Sequence, residues 1–245
     1  MSIAAIIPAR YGSTRFPGKP LARDTGKYLI EHVYEQVCKA ATIDYVLIAT
    51  DDQRIYDACV GFGATCEMTR EDHQCGTDRL AEVISRRPEI DIIVNVQGDE
   101  PEIDPASIDR LVNLIKGDSK AGMATLCAEI ESEAELHNPN IVKVVAGIKK
   151  QALYFSRSTI PYNRDGANWM GAYSKHLGIY AYRKETLLAF SQMAQTPLEK
   201  MEKLEQLRAL ENGIKIAIDK VTHTAAGIDT PEQYAEFVER YNRKK

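Results

Sequence analysis

Residues 8–20, PARYGSTRFPGKP, place Arg10, Arg15 and Lys19 among two glycines, the hydroxyls of Ser13 and Thr14, and three prolines, directly after the apolar run at 4–7. This composition suits a triphosphate. Glycine lets the main chain approach a ligand, hydroxyls donate hydrogen bonds, and guanidinium forks match phosphate oxygens in pairs. The spacing is neither that of a Walker A loop nor that of the G-x-G-x-x-G dinucleotide fingerprint. A merely solvated basic loop is the alternative. Its place after a strand weighs against that, because open α/β sheets bind ligands at the carboxyl ends of their strands.

Two carboxylates are candidate partners for that loop. Asp99 follows Gly98 at the end of the apolar run 90–96, and a magnesium ion needs only one or two carboxylates when substrate phosphates complete its shell. Asp229, in GIDTPE at 227–232, could be the second ligand or could cap the terminal helix, a task for which Thr230 is equally suited. The segment DHQCGTDR at 72–79 holds Asp72, His73, Gln74, Thr77, Asp78 and Arg79, a mixture of donors and acceptors able to read a base edge. Thr77 or Asp78 could equally cap the helix that follows. Cys75 lacks any general base legible in the sequence and is read as a small loop residue. His176 and Tyr180 share one face of a strand, and with Arg157 they make an acid-sugar pocket plausible beside a purely structural reading. Glu205 and Gln206 lie in an apparent helix at 197–211 and are expected to face solvent.

Alternating apolar runs and amphipathic stretches supply the scaffold. Strands are expected at 4–7, 45–50, 64–68 and 90–96, with helices over 30–38, 55–62, from 77 onward, and from Pro105. This strand–helix rhythm predicts right-handed crossovers and a mostly parallel sheet with helices on both faces. After residue 120 the rhythm changes. Runs at 123–130, 142–145, 153–156 and 176–182 read as strands with little helix between them, an antiparallel segment. The stretch 161–174, PYNRDGANWMGAYS, reads as a turn-rich loop. A helix over 197–211, a strand over 214–218 and a terminal helix bearing Tyr234, Phe237, Val238 and Tyr241 complete the chain. With no repeat and no obvious linker, one domain over 1–245 is expected.

At 245 residues the chain can bury a sizeable core. Its net charge of −4 offers no general attraction to nucleic acid or anionic lipid. No apolar run reaches the ~18 residues of a membrane span and no signal peptide is legible, so a cytoplasmic protein is expected. Five cysteines without a C-x-x-C pair argue against a disulfide framework or cysteine zinc site. Most of them are expected to be reduced and in or near the core.

In order along the chain, PARYGSTRFPGKPL, DHQCGTDR, NVQGDEP, YFSRSTIP, HLGIYAYR, LEQLRAL and GIDTPE resemble the 3-deoxy-manno-octulosonate cytidylyltransferases. The resemblance spans nearly the whole chain. DHQ-x-GTDR, NVQGDEP and HLGIY are its specific motifs, whereas the first motif is shared with other cytidylyltransferases. It implies a Rossmann-like nucleotidyltransferase fold and transfer of CMP from CTP to the anomeric hydroxyl of 3-deoxy-manno-octulosonate (Kdo), for lipopolysaccharide synthesis. Carried over by residue, it assigns Arg10, Ser13, Arg15 and Lys19 to the triphosphate, with Lys19, Arg15 and Asp99 serving the transfer. Gln74, Gly76, Thr77 and Arg79, with the Pro8 and Ala9 backbone, go to cytosine. Asp99 and Asp229 go to Mg2+, and Gln97, Arg157, His176, Tyr180, Glu205 and Gln206 to the sugar acid. It further implies a homodimer formed through roughly 121–182. Two features depart from the family: Cys75 stands where serine is usual, and VTHTAA at 221–226 replaces a glycine-richer stretch. An enzyme for another acid sugar, such as 8-amino-8-deoxy-Kdo, and a non-catalytic nucleotide sensor remain the alternatives.

Overall fold

The computed structural model describes residues 1–12, 14–73, 75–166, 170–222 and 227–243. The chain divides into two compact units, Met1–Asp109 with Ala225–Lys245, and Arg110–Thr224.

In the first unit β1 (Ile3–Ala9) is buried along nearly its whole length, as its unbroken apolar sequence demands of a strand covered on both faces. Leu29–Val37 forms α1, whose apolar face buries Leu29, Ile30, Val33 and Val37. Next come β2 (Tyr45–Thr50) and α2 (Gln53–Gly61). Asp52 starts α2 by accepting the Arg54 amide at 2.9 Å, as a helix cap should. Gly63, at positive φ, allows the left-handed turn that ends it. β3 (Cys66–Met68), α3 (Gly76–Ser85) and β4 (Ile92–Asn95) follow, and α4 (Pro105–Gly117) begins in this unit and ends in the second. The strand order is β3-β2-β1-β4, every pair parallel, as the strand–helix rhythm predicts. The carboxyl ends of these strands therefore share one edge, and the loops of interest leave from it.

The second unit contains β5 (Met123–Glu129), α5 (Glu133–His137), β6 (Lys143–Ala146), β7 (Ala152–Ser156) and β8 (Ser174–Arg183). Beyond them lie α6 (Lys184–Ser191), α7 (Pro197–Glu202), α8 (Gln206–Glu211) and β9 (Ile216–Val221). β5 pairs antiparallel with β8 and parallel with β9, while β6 and β7 form an antiparallel hairpin. Phe155, Tyr182, Phe190 and Leu207 are fully buried here. The chain ends in α9 (Pro231–Arg243), which belongs to the first unit and buries Tyr234 and Phe237.

The mostly parallel α/β architecture with an antiparallel middle segment matches expectation. Three local expectations need correction. The first is α6, which the sequence reading missed. Its N-cap, Arg183, makes no capping bond, and Leu187, Leu188 and Phe190 are too short a run to show a helical period. The second is the helix expected over 197–211, which is two helices. Lys203 stands between them at positive φ, in the left-handed region. A side chain with a Cβ adopts that conformation only at a cost, because the Cβ crowds the following carbonyl oxygen. Arg157 offsets the cost by donating to two carbonyl oxygens at the end of α7, those of Glu202 and Lys203, which would otherwise lack partners. The third concerns α3, which begins at Gly76. Cys75 occupies its N-cap position without a side-chain capping bond, so neither Thr77 nor Asp78 is the cap.

Among the described residues no helix is long and apolar enough to cross a membrane. All five cysteines are thiols outside any disulfide. Cys59 and Cys127 are buried, Cys66 and Cys75 partly so, as expected of most of them, and Cys38 is exposed.

Candidate active site

Four segments of the first unit converge on a cavity of about 460 Å3: the loop after β1, the turn into α3, the loop after β4, and the stretch before α9. Of the residues singled out in the sequence, Pro8, Ala9, Arg10, Arg15, Lys19, Gly76, Arg79, Gln97, Asp99 and Asp229 line it. Thr14, Pro20, His73, Cys75 and Gly98 add to the wall. Thr77 does not; it is buried in the first turn of α3. Ser13 and Gln74 lie outside the described residues. Gly76 brings the start of α3 to the wall, and the dipole of a helix N-terminus favours an acceptor or anion there.

Lys19 lines the cavity. Its buried ammonium donates to Asp99 Oδ2 at 2.8 Å and to the Ile228 carbonyl at 2.5 Å, and it lies 3.5 Å from Asp229 Oδ1. The Ile228 amide in turn donates to the Asp99 carbonyl at 2.9 Å, fixing the stretch before α9 against the loop after β4. Asp229 also pairs with Arg15 at 2.9 Å, a solvent-exposed contact worth little by itself. The cap of the terminal helix is supplied by the neighbours of Asp229. Gln233 N donates to Thr230 Oγ1 at 3.4 Å while Gln233 Oε1 accepts the Thr230 amide at 3.1 Å, a reciprocal cap. Asp229 is thereby left facing Lys19 and Arg15.

The donor set fits a magnesium ion completed by phosphate. Asp99 and Asp229 are hard oxygen donors sharing one cation, and among the described residues no cluster of three or more metal-ligating side chains offers an all-protein cage. Next to Asp99, burial pushes the Glu100 carboxyl up to about 7, with the Asp99 charge adding to the effect, the two causes acting in the same direction on a carboxylate.

Two anchors hold the turn into α3, and sequence reasoning missed a partner in each. The Arg79 guanidinium, expected to meet a base, is buried and pairs with Asp51 at 2.5 Å and with the Thr69 hydroxyl. Glu82 accepts from His73 Nε2 at 2.5 Å, from the Arg70 amide at 3.0 Å, and from Arg86. Burial pushes Glu82 up, but the Arg70 amide, His73 and Arg86 outweigh it and hold the carboxyl below its usual range. The position of Asp51 at the carboxyl end of β2, and the i,i+4 spacing of Glu82 and Arg86, were the available signals.

The remaining predicted residues belong to the second unit. Thr125 Oγ1 lies 2.9 Å from His176 Nε2, 3.2 Å from the Leu177 carbonyl and 2.8 Å from the Ile179 carbonyl. A hydroxyl has one proton. Thr125 donates to a carbonyl and accepts from the imidazole, which places the His176 proton on Nε2. The β5–β8 register shift puts two additional residues in β8, so parity survives and His176 and Tyr180 stay together, ring centroids 5.2 Å apart. Phe155 packs edge-on against the same imidazole at 5.0 Å. Burial raises the Tyr180 hydroxyl above its usual range, with the charges of Tyr182 and Glu205 contributing.

Arg157 spends its guanidinium on the Glu202, Lys203 and Pro139 carbonyls and gives its amide to Glu202 Oε2 at 2.9 Å. Glu205 accepts from Arg208 at 2.7 Å. Gln206 is buried, contrary to the solvent-facing expectation, because the break at Lys203 turns α8 inward.

Burial moves His176 down to about 3. An unfolded chain takes up that proton near pH 6.5, whereas the folded chain refuses it until pH 3. This contribution to stability is therefore complete above pH 6.5 and is lost as pH falls towards 3. Thermal melts between pH 7.5 and 4 are expected to show a shallower acid loss in His176→Asn than in wild type, the difference on the order of a few kcal/mol at the acid end.

Comparison with known proteins agrees with this geometry. A model of the family described as cytidylyltransferase matches residues 4–216. The 3-deoxy-manno-octulosonate cytidylyltransferase of Geobacter metallireducens is 48% identical over 252 residues, covering 99% of each chain. That of Syntrophotalea carbinolica is 51% identical over 239 residues, covering 95% of each. A solved CMP:2-keto-3-deoxy-manno-octonic acid synthetase complexed with CTP superposes with a TM-score of 0.95 at 44% identity, over 100% of both chains. The cation-lined cavity on a parallel sheet, the residues that build it and these full-length similarities agree: the chain belongs to the 3-deoxy-manno-octulosonate cytidylyltransferase family.

Proposed function

We propose that the cavity holds the triphosphate of CTP as its Mg2+ complex, with Asp99 and Asp229 as the protein ligands of the metal. The activity is that of the family: CMP passes from CTP to the anomeric hydroxyl of Kdo, giving CMP-Kdo and pyrophosphate. The observation that carries the residue assignment is the pairing of Asp99 and Asp229 on one buried ammonium, beside the basic loop that follows β1.

Phosphoryl-type transfer needs positioning and charge neutralisation rather than a covalent enzyme intermediate. Arg10, Arg15 and Lys19 neutralise the phosphates, and Lys19 stabilises charge developing on them. The start of α3 and the Pro8–Ala9 backbone meet the cytosine. Arg79, anchored on Asp51, lines the cavity beside Gly76 and is assigned with it to the cytosine. Asp99 and Asp229 would hold the Mg2+, whose charge would acidify the anomeric hydroxyl and help neutralise the phosphates. Gln97, Arg157, His176, Tyr180, Glu205 and Gln206 are assigned to the sugar acid. His176, with its proton held on Nε2 by Thr125, presents Nδ1 as an acceptor for a sugar hydroxyl.

The same proposal includes a homodimer formed through roughly 121–182, where Ile148, Leu153 and Tyr162 are exposed. Light scattering on the purified chain tests it, and a monomer at micromolar concentration would remove it. A cytoplasmic location rests on the family alone.

Pyrophosphate release from CTP, measured with Kdo, 8-amino-8-deoxy-Kdo and sialic acid in turn, tests the function. Release is expected with Kdo. Consumption of CTP only with another acid would overturn the sugar assignment. Glu82→Ala releases Arg70 and His73 while the Arg79–Asp51 anchor remains, and is expected to raise the KM for CTP by about tenfold, with a smaller change in kcat, the scale of a lost charge-assisted hydrogen bond. Steady-state kinetics at saturating Kdo check this.

A further inference from the structure

Lys19 has three ammonium protons, and three acceptors surround it: Asp99 Oδ2 at 2.8 Å, the Ile228 carbonyl at 2.5 Å and Asp229 Oδ1 at 3.5 Å. The side chain keeps only 11% of its exposure. Both carboxylates assigned to the metal are thus counter-ions of one buried ammonium. A divalent ion at ~2.1 Å from those oxygens competes with the ammonium for their lone pairs and is repelled by its like charge. The ammonium therefore opposes metal entry while it stays, and a buried ammonium leaves only for another anion. The triphosphate is such an anion, and it also supplies the oxygens that complete the metal's shell.

We propose that Lys19 withholds Asp99 and Asp229 from divalent metal until a nucleotide triphosphate draws its ammonium away. Metal and nucleotide binding are then coupled, each strengthening the other by the same factor. This rests on the reading that Asp99 and Asp229 are the metal ligands.

The test is Mn2+ binding to the nucleotide-free protein, by calorimetry, in wild type, Lys19→Met, Lys19→Arg and the double variant Lys19→Met/Asp99→Asn. Lys19→Met is expected to bind Mn2+ at least about tenfold tighter than wild type, within the usual range of coupling between sites. Lys19→Arg, which keeps the charge, should bind as weakly as wild type. The double variant should lose the gain. If Lys19→Met binds no tighter while Asp99→Asn still removes its binding, the proposal fails and the ligand assignment stands. Should Asp99→Asn leave the binding of Lys19→Met unchanged, the ligand assignment fails and the proposal with it. Were Lys19→Met not to fold, the 15N resonance of the wild-type Lys19 ammonium decides. It should shift in step with Mg2+ occupancy of the nucleotide-free protein, and a signal that stays fixed as the site saturates overturns the proposal.

Discussion

Asp99→Asn is expected to lower turnover by about a thousandfold or more while the melting temperature stays near that of wild type, the scale of removing a group that stabilises transition-state charge. The substitution keeps the shape and an oxygen that can accept from Lys19 at 2.8 Å, and it leaves untouched the Ile228 amide bond to the residue 99 carbonyl. What is lost is one negative charge in the cavity, and with it a hard ligand for a divalent cation. Turnover with a titration of Mg2+, beside a thermal melt, checks both halves. Near-normal Mg2+-dependent turnover in the variant would sink the assignment of Asp99.

Gly98→Ala is expected to be nearly as damaging through sterics alone. A Cβ at residue 98 would stand 2.9 Å from the Pro8 backbone carbonyl and 3.3 Å from Ile30 Cδ1. Neither neighbour has room to retreat. Pro8 pairs with Ala49 inside the parallel sheet, and Ile30 is fully buried on α1. The loop after β4 must move instead, carrying Asp99 away from Lys19. Overpacking of this kind costs about 1–3 kcal/mol of stability. A shift of ~1 Å at a positioning group costs about a hundredfold in rate, which sets the expected fall in kcat/KM. The two readouts separate the causes: a destabilised variant with unchanged kcat/KM would show that the position of the loop does not govern the site.

Both predictions rest on contacts that join distant parts of the chain, and this marks how far the sequence could be read. Local physics made much of the first unit legible. The unbroken apolar run of β1 and the amphipathic period of α1 each announce an element, since every one of their side chains answers to its immediate neighbours. Motif composition then named a phosphate loop and two carboxylates, and resemblance attached a base and a sugar to them.

Where the physics was not local, the sequence was silent or misleading. Nothing between 197 and 211 signals a break, because Arg157, 46 residues before Lys203, supplies the bonds that hold that residue in its left-handed conformation. Arg79 has the chemistry of a base reader, but no local pattern shows that Asp51, 28 residues earlier, anchors its guanidinium at the cavity wall. Asp229 could be cap or ligand until the reciprocal bonds of Thr230 and Gln233 settle the cap.

The sequence by itself determined the class of elements, the basic loop and the family. Only the tertiary structure decided that Lys19 meets Asp99 across 80 residues and Ile228 across 209. The physical reason is that a buried charge is tolerated only where its partners converge, and convergence belongs to the order of strands in the sheet, which no local pattern encodes.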